Sequence, residues 1–146
     1  MKRFILSDLH IGFENSLYSE MNKTIEYISR NAESGDEILG LGDWFHLKEE
    51  GFDKCFKHEM TQKFRELAAR IPTKLVLGNH DEELEDYQNS RKSPSPISPI
   101  EIINPFWENG FLFCHGHEFD YWSRFMTFPA FWDHFVTKKN TWTTHV

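Results

Sequence analysis

The stretch "TKLVLGNHDEE", residues 73–83, decides the fold class of this chain. It predicts an apolar strand at residues 73–77 that ends in a glycine and then presents an amide, an imidazole and a carboxylate. Packing alone does not account for Asn79, His80 and Asp81 at such a point. Because polar groups that bind ligands collect at strand ends in α/β sheets, the stretch indicates a functional site as well as a strand.

Three other apolar runs, at residues 4–6, 38–41 and 111–113, end in the same way. The polar residues that follow them are Asp8 and His10, Asp43 and His46, and His115 and His117. Oxygen and nitrogen donors of these types, without thiolates, suit borderline or hard divalent ions such as Mn, Fe or Zn. The four strand ends therefore predict a metal site.

Amphipathic segments separate the first three strands. Apolar residues recur at helical spacing at Leu17, Met21, Ile25 and Ile28, with Asn15 or Ser16 as the expected cap, and again at Phe56, Met60, Phe64 and Leu67 before Pro72. This alternation predicts an α/β fold with two successive βαβ units. Since parallel strands end at one edge, the ligand-type residues after them are expected to converge.

The second half of the chain carries weaker signals. Residues 91–99, "RKSPSPISP", predict an exposed loop, and residues 100–103 and 111–114 predict two strands joined by a turn at Asn109-Gly110. The aromatic segment at residues 119–135 predicts a packed helical cap or core, with a substrate surface as the alternative. Three histidines without a strand-end context, His58, His134 and His145, are expected at the surface or in the core.

Composition predicts one domain over residues 1–146, because a chain of this length can bury a real hydrophobic core. The net charge of −7, from 23 acidic and 16 basic residues, argues against nucleic acid as a partner without excluding it. Cys55 and Cys114 are too few for a disulfide framework or a thiolate zinc site. With no signal peptide or transmembrane span recognised, a cytoplasmic location is expected.

The residue types at the strand ends predict a site for two divalent ions. Asp8 and His10, two residues apart on an extended segment, are expected to reach one ion. Asp43 has two carboxylate oxygens and is expected to bridge both ions. Asn79 and His115 are expected to supply further ligands to the second ion. Two ions about 3.5–4 Å apart would acidify a bridging water and offset the charge of phosphoryl oxygens.

His80 and Asp81 form the expected catalytic pair. His80 would protonate a leaving oxygen or stabilise the transition state, and Asp81 would orient that imidazole through its second nitrogen. His46 is expected to be a metal ligand, a substrate contact or a solvated loop residue. His117 is expected to contact substrate or to hydrogen-bond a ligand, and His115 is favoured as a ligand over a buried histidine.

Taken in order, the blocks "SDLH", "GD", "GNHD" and "HGHEFD" resemble the calcineurin-like metallophosphoesterase superfamily over residues 2–120. The short spacing and the "GHEFD" form look closer to its branch of UDP-2,3-diacylglucosamine pyrophosphohydrolase-like and other small phosphoesterases than to protein phosphatases, which would show an Arg-Gly soon after the GD block. The resemblance implies a metallophosphoesterase-type two-sheet sandwich flanked by helices. It also implies a metallophosphoesterase that hydrolyses a phosphoester or pyrophosphate bond with two divalent ions, with Mn expected ahead of Fe or Zn.

The resemblance implies a role for each matching residue. Its ligands for the first ion are Asp8, His10 and Asp43, those for the second are Asp43, Asn79 and His115, and the catalytic histidine is His80. The implied substrate is a phosphorylated small molecule or a nucleotide-linked compound. The sequence predicts no particular oligomeric state.

The chain departs from the family pattern at its end, because no GHxH block follows His117. We therefore expect a fold that is incomplete at the C terminus. Three explanations are open: a truncated enzyme, replacement of the missing ligands by other groups, or a degenerate scaffold that acts as a binding module without hydrolysis. Truncation is favoured, because no closing strand follows the aromatic segment.

Overall fold

The computed structural model describes residues 1–90, 95–117 and 119. The elements are β1 (Arg3–Leu6), α1 (Tyr18–Asn31), β2 (Glu37–Leu41), α2 (Leu47–Lys57), α3 (Glu59–Ala68), β3 (Thr73–Val76), α4 (Glu83–Ser90), β4 (Glu101–Ile103), β5 (Phe106–Glu108) and β6 (Phe111–Phe113). Four parallel strands form one sheet in the order β1-β2-β3-β4, and β5 and β6 form a separate antiparallel pair. The predicted α/β fold with two sheets and flanking helices is confirmed.

One face of the parallel sheet packs against the helices. Ile38 of β2 and Leu75 of β3 are fully buried, in one apolar cluster with Ile28 of α1 and Phe64 of α3. Burying each such side chain contributes about 1.5–3 kcal/mol to folding. Because consecutive parallel strands are joined by right-handed crossovers, the helices are expected on this one face. The sheet is thereby a rigid support for the loops that leave its C-terminal edge.

The β5–β6 hairpin is attached to the edge strand β1 through Arg3. Its guanidinium lies 2.5 Å from a carboxylate oxygen of Glu37, also contacts the Glu108 carboxylate, and sits 5.2 Å from the centre of the Phe113 ring. Arg3 alternates with Phe4 along the strand and so projects to the opposite side of the sheet from the helices. Arg3 therefore links the two sheets through ion pairs with Glu37 of the parallel sheet and Glu108 of the hairpin.

The start of α1 differs from the prediction. The residue that precedes its first turn is Leu17, which makes no side-chain capping hydrogen bond, so the expected capping by Asn15 or Ser16 is wrong. The Ser16 hydroxyl instead donates to the backbone oxygen of His10, at 2.6 Å. Its side chain therefore supports the loop that follows β1.

The second amphipathic pattern belongs to two helices and not one. His58 separates α2 from α3 with an extended backbone, and its Nδ1 accepts a hydrogen bond from the Met60 amide at 3.2 Å. The His58 ring also stacks on Tyr18, with centroids 4.5 Å apart. His58, which was expected at the surface or in the core, is thus the N-terminal cap of α3. The helical spacing runs across the break because both helices turn their apolar side towards the same core.

The strands of the second half are arranged differently from the prediction. Residues 101–103 do not pair with residues 111–114; β4 instead extends the parallel sheet beside β3. An additional strand, β5, pairs with β6, and the Asn109-Gly110 turn joins these two. Both turn residues have positive φ, 51° and 83°, as the tight hairpin turn requires. The aromatic pair Phe106-Trp107 was the overlooked strand signal.

The loop predicted at residues 91–99 is present in its described part, but its predicted exposure is wrong at Ile97, which is fully buried in the core. Predictions for residues 91–94, for the aromatic segment beyond Phe119, and for His134 and His145 lie outside the described residues. Among the helices that are described, none has the length and apolarity of a membrane span.

Candidate metal centre

Three predicted ligands follow strands β1 and β2 with the backbone in the left-handed region. The φ angles are 57° for Asp8, 48° for His10 and 53° for Asp43. Such angles are uncommon for residues other than glycine and persist only where the surroundings hold them. The Asp8 amide donates to the Gly42 oxygen at 3.1 Å, and the His10 amide donates to the Asp43 oxygen at 2.9 Å. These bonds hold the two loops together.

The Asp43 carboxylate is the centre of the site, and its side chain is only 4% exposed. Its Oδ1 accepts the backbone N–H of His80 at 2.9 Å. Its Oδ2 lies 3.2 Å from Nε2 of His115 and 4.0 Å from Nε2 of His10. Burial acts to raise the pKa of Asp43, but the hydrogen bonds from His115 and His80 outweigh it and the pKa is lowered. This carboxylate therefore stays ionised and contacts several groups at once.

His115 reaches Asp43 from the segment that follows β6. Its Nδ1 donates to the backbone oxygen of Leu41 at 2.8 Å, which fixes the ring so that Nε2 faces Asp43. The hydrogen bond with Asp43 raises the pKa of His115 to about 9, against the opposing effect of burial. The two alternatives for this residue are compatible, because the side chain is nearly buried and also presents a nitrogen to the acidic centre.

Two glycines make the close approach of these groups possible. A Cβ atom at Gly78 would lie 2.2 Å from Oδ1 of Asp43, and one at Gly42 would lie 2.4 Å from the ring of His115. Real Cβ atoms do not approach other atoms this closely. The glycines of the GD and GNHD blocks are therefore required by the packing of the site.

The residues present fit a metal centre. One ligand atom from each of Asp8, His10 and Asp43 lies within 4.8 Å of the others. Asp43 and His115 form a second group at the same carboxylate, and the half-buried Asn79 lies beside His80 in the adjoining loop. Oxygen and nitrogen donors of this kind suit Mn, Fe or Zn. The strand ends converge as the parallel order predicts.

His46 is not a solvated loop residue, and that alternative is wrong. Its side chain is 11% exposed. Its Nδ1 lies 3.0 Å from Nδ1 of His10, and its Nε2 lies 3.1 Å from Oε2 of Glu49. The His46 ring also stacks on that of His80, with centroids 4.6 Å apart and planes 15° from parallel.

The His80 imidazole is paired with Glu49 and not with Asp81. Nδ1 of His80 lies 3.1 Å from Oε2 of Glu49. The buried Asp81 accepts the amide of Gly78 at 2.6 Å through one oxygen and that of Trp44 at 2.8 Å through the other. The predicted orientation of His80 by Asp81 is therefore wrong. Asp81 instead joins the loop after β3 to the loop after β2.

Burial raises the pKa of Asp81 to about 6, although the backbone N–H groups act in the opposite direction. Burial also acts to raise the pKa of Glu49, but its hydrogen bond with His80 prevails and the pKa is lowered. The sequence analysis missed Glu49. The sequence contains a signal for it, because Glu49 follows His46 by three residues at the start of a helix. This spacing brings the two side chains together.

His117 lies next to the centre, with its ring centroid 5.4 Å from that of His115. Its contact with substrate or with a ligand stays a prediction. A groove of about 380 Å³ opens beside Asp8 and His10, and its walls include the apolar residues Leu9, Phe13, Leu17 and Met21. The centre thus adjoins space for a small molecule.

Comparison with known proteins gives one match. A family model described as calcineurin-like phosphoesterase matches residues 1–144. Neither a curated protein nor a solved structure matches the chain. The matched range includes every residue of the centre described above, from Asp8 to His117.

Proposed function

Since the chain belongs to the calcineurin-like phosphoesterase family, we propose that it is a metal-dependent hydrolase of phosphoester or pyrophosphate bonds. The observation that carries this proposal is the buried Asp43 carboxylate. One of its oxygens faces ring nitrogens of both His115 and His10, while the other accepts the His80 amide. A single acidic group thus connects the candidate ligands with the candidate catalytic histidine.

We propose two divalent ions at this centre, with Mn ahead of Fe or Zn. Asp8, His10 and Asp43 would hold the first ion, and Asp43, Asn79 and His115 would hold the second. When bound, the ions lower the pKa of water and offset the negative charge of phosphoryl oxygens. The oxygen and nitrogen donors of these side chains support this choice of metal.

His80 is the proposed catalytic residue. Its backbone amide is anchored on Asp43, and Nδ1 faces Glu49, so Nε2 is the nitrogen that would donate a proton to the leaving oxygen. A fixed imidazole at this point would also stabilise charge in the transition state. We propose that Asp81 contributes indirectly, by holding the loop that carries His80.

The proposed substrate is a phosphorylated small molecule or a nucleotide-linked pyrophosphate, as in the UDP-2,3-diacylglucosamine hydrolase-like branch. The groove beside Asp8 and His10 supports a small substrate, because it offers walls for the part that does not react. The net charge of −7 disfavours nucleic acid without excluding it. Parallel assays of UDP-sugar pyrophosphates, cyclic nucleotides and phosphoproteins would separate these classes.

The reaction is tested with purified protein loaded with Mn²⁺ and a generic aryl phosphodiester. Asp43→Asn and His80→Ala should each reduce kcat by at least about 100-fold, because both act at the reacting centre. Asp53→Asn is the matched control, since its carboxylate is exposed and pairs only with Lys57 among the described residues. Equal rates for the wild type and Asp43→Asn would exclude the proposed hydrolysis.

Calorimetry distinguishes a metal-dependent enzyme from a degenerate scaffold that retains only the fold. Mn²⁺ or Zn²⁺ should bind the wild type with clear heat and bind the double variant Asp8→Ala, Asn79→Ala much more weakly. Equal, negligible uptake by both proteins would favour a binding module without hydrolysis.

We also propose that residues 1–146 act as one domain in the cytoplasm. The family match spans residues 1–144, which supports one domain, and two cysteines are too few for a disulfide framework, which supports a reducing compartment. Fractionation of cells that express the tagged chain, with markers for each compartment, tests the location.

A further inference from the structure

Three imidazoles and one carboxylate form a continuous cluster beside Asp43. His10, His46 and His80 supply the rings, and Glu49 supplies the carboxylate. One oxygen of Glu49, Oε2, lies 3.1 Å from Nε2 of His46 and 3.1 Å from Nδ1 of His80. The other nitrogen of His46, Nδ1, lies 3.0 Å from Nδ1 of His10. The four side chains are thus connected from one end to the other.

A third metal ion bound between His10, His46 and His80 is an alternative explanation for the short distances between their ring nitrogens. However, an ion can bind only one nitrogen of a given imidazole, and both nitrogens of His46 are directed at different partners. Glu49 Oε2 and His10 Nδ1 lie at opposite ends of this ring. The arrangement therefore matches a chain of hydrogen bonds better than a single coordination sphere.

With an ion held at His10, the contacts imply where each proton would lie. Nε2 of His10 faces the Asp8 and Asp43 carboxylates, at 3.9 and 4.0 Å, so an ion held there requires that nitrogen to be unprotonated. His10 then carries its proton on Nδ1 and donates it to Nδ1 of His46. His46 in turn carries its proton on Nε2 and donates to Glu49.

His80 completes the chain from the other side. An ionised carboxylate only accepts hydrogen bonds, so Nδ1 of His80 must be the donor to Glu49. This leaves Nε2 of His80 as the nitrogen that exchanges a proton with a substrate. The ring is held further by its stacking on His46, and the backbone oxygen of His80 accepts the Leu47 amide at 3.0 Å.

We infer that Glu49 and His46 are positioning residues that connect the metal-binding imidazole of His10 to the catalytic imidazole of His80. This inference rests on the proposed function for the roles of His10 and His80. Glu49 is placed in the first turn of α2, which begins directly after His46. One short helical segment thereby sets the orientation of both functional histidines and the tautomer of His80.

The first test observes the protons directly. The full chain, labelled with ¹⁵N at histidine and loaded with diamagnetic Zn²⁺, is compared with Glu49→Ala and with the matched control Glu50→Ala. In the wild type and the control, His80 should carry its proton on Nδ1 and His46 on Nε2. In Glu49→Ala, His80 should become a mixture of tautomers, whereas His46 should keep its proton on Nε2 because Nδ1 still accepts the N–H of His10. Unchanged histidine spectra in Glu49→Ala would overturn the inference.

The second test measures hydrolysis by the same proteins. Glu49→Ala should lower kcat by about 10–100-fold with little change in KM, because outer hydrogen-bond partners of functional histidines have effects of this size. Glu50→Ala should stay close to the wild type, since Glu50 pairs with Lys54. An equal loss in both variants would contradict the inference. If the wild type hydrolyses nothing, the proposed function fails, whereas the histidine spectra still decide the hydrogen-bond chain.

Discussion

Nε2 of His115 lies 3.2 Å from Oδ2 of Asp43, and this contact joins the segment after the hairpin to the loop after β2. Both side chains are nearly buried, at 9% and 4% exposure. The antiparallel sheet therefore delivers a nitrogen to a centre that the parallel sheet builds. The position of the small sheet and the occupancy of the metal centre are expected to depend on each other.

Replacing His115 should weaken metal binding. His115→Ala is expected to weaken Mn²⁺ binding by at least about 10–100-fold, because the centre loses a nitrogen donor. His58→Ala is the control: it removes the cap of α3, at a cost of about 1 kcal/mol of unfolding free energy, and leaves metal binding intact. Calorimetry and thermal unfolding measure both quantities, and equal metal affinity in the two variants would contradict the role of His115.

Gly78→Ala should disrupt the centre through a steric clash. The added Cβ would lie 2.2 Å from Oδ1 of Asp43 and 2.6 Å from its backbone nitrogen, so the loops must separate. We expect a loss of about 1–3 kcal/mol in unfolding free energy together with weaker metal binding. Gly35→Ala adds a methyl group into open space at a φ of 90° and should cost only about 1 kcal/mol, with metal affinity unchanged. Full metal affinity in Gly78→Ala would show that the loops tolerate the clash.

Asp81→Asn should destabilise the fold without a direct effect on the His80 imidazole. The two oxygens of Asp81 accept the amides of Gly78 and Trp44, and an asparagine can accept only one of them. A buried N–H left without an acceptor costs about 1–3 kcal/mol. The exposed Asp86 provides the control, and Asp86→Asn should change denaturant midpoints little. A wild-type midpoint for Asp81→Asn would refute this structural role.

Arg3→Met should loosen the hairpin from the parallel sheet. Arg3 is 18% exposed and contacts Glu37, Glu108 and the ring of Phe113, so its loss should cost about 1–2 kcal/mol. Lys74 lies 3.3 Å from Glu37 and limits the loss, because that carboxylate keeps one partner. Arg30→Met removes an exposed pair within α1 and should cost no more than about 0.5 kcal/mol. Equal unfolding free energies for the two variants would argue against the attachment.

Much of the fold could be predicted because strands and helices have distinct periods in the sequence. The parallel order of β1, β2 and β3 followed from their alternation with helices, and the ligand residues then had to meet at one edge. The break at His58 could not be predicted, because two helices that face one core keep a common apolar spacing. Strand β5 was missed because a segment of three residues carries too little periodicity.

The sequence by itself determined the donor types, their order after the strands, and the glycines that let Asp43 and His115 approach. Residue identity and strand order are sufficient to predict these features, since parallel strands end at the same edge of a sheet. Only the tertiary structure decided which side chains meet: Glu49, and not the neighbouring Asp81, contacts His80, and His46 connects that pair to His10. The reason is geometric, because side chains on adjacent residues diverge while the first turn of α2 projects across the site from another loop.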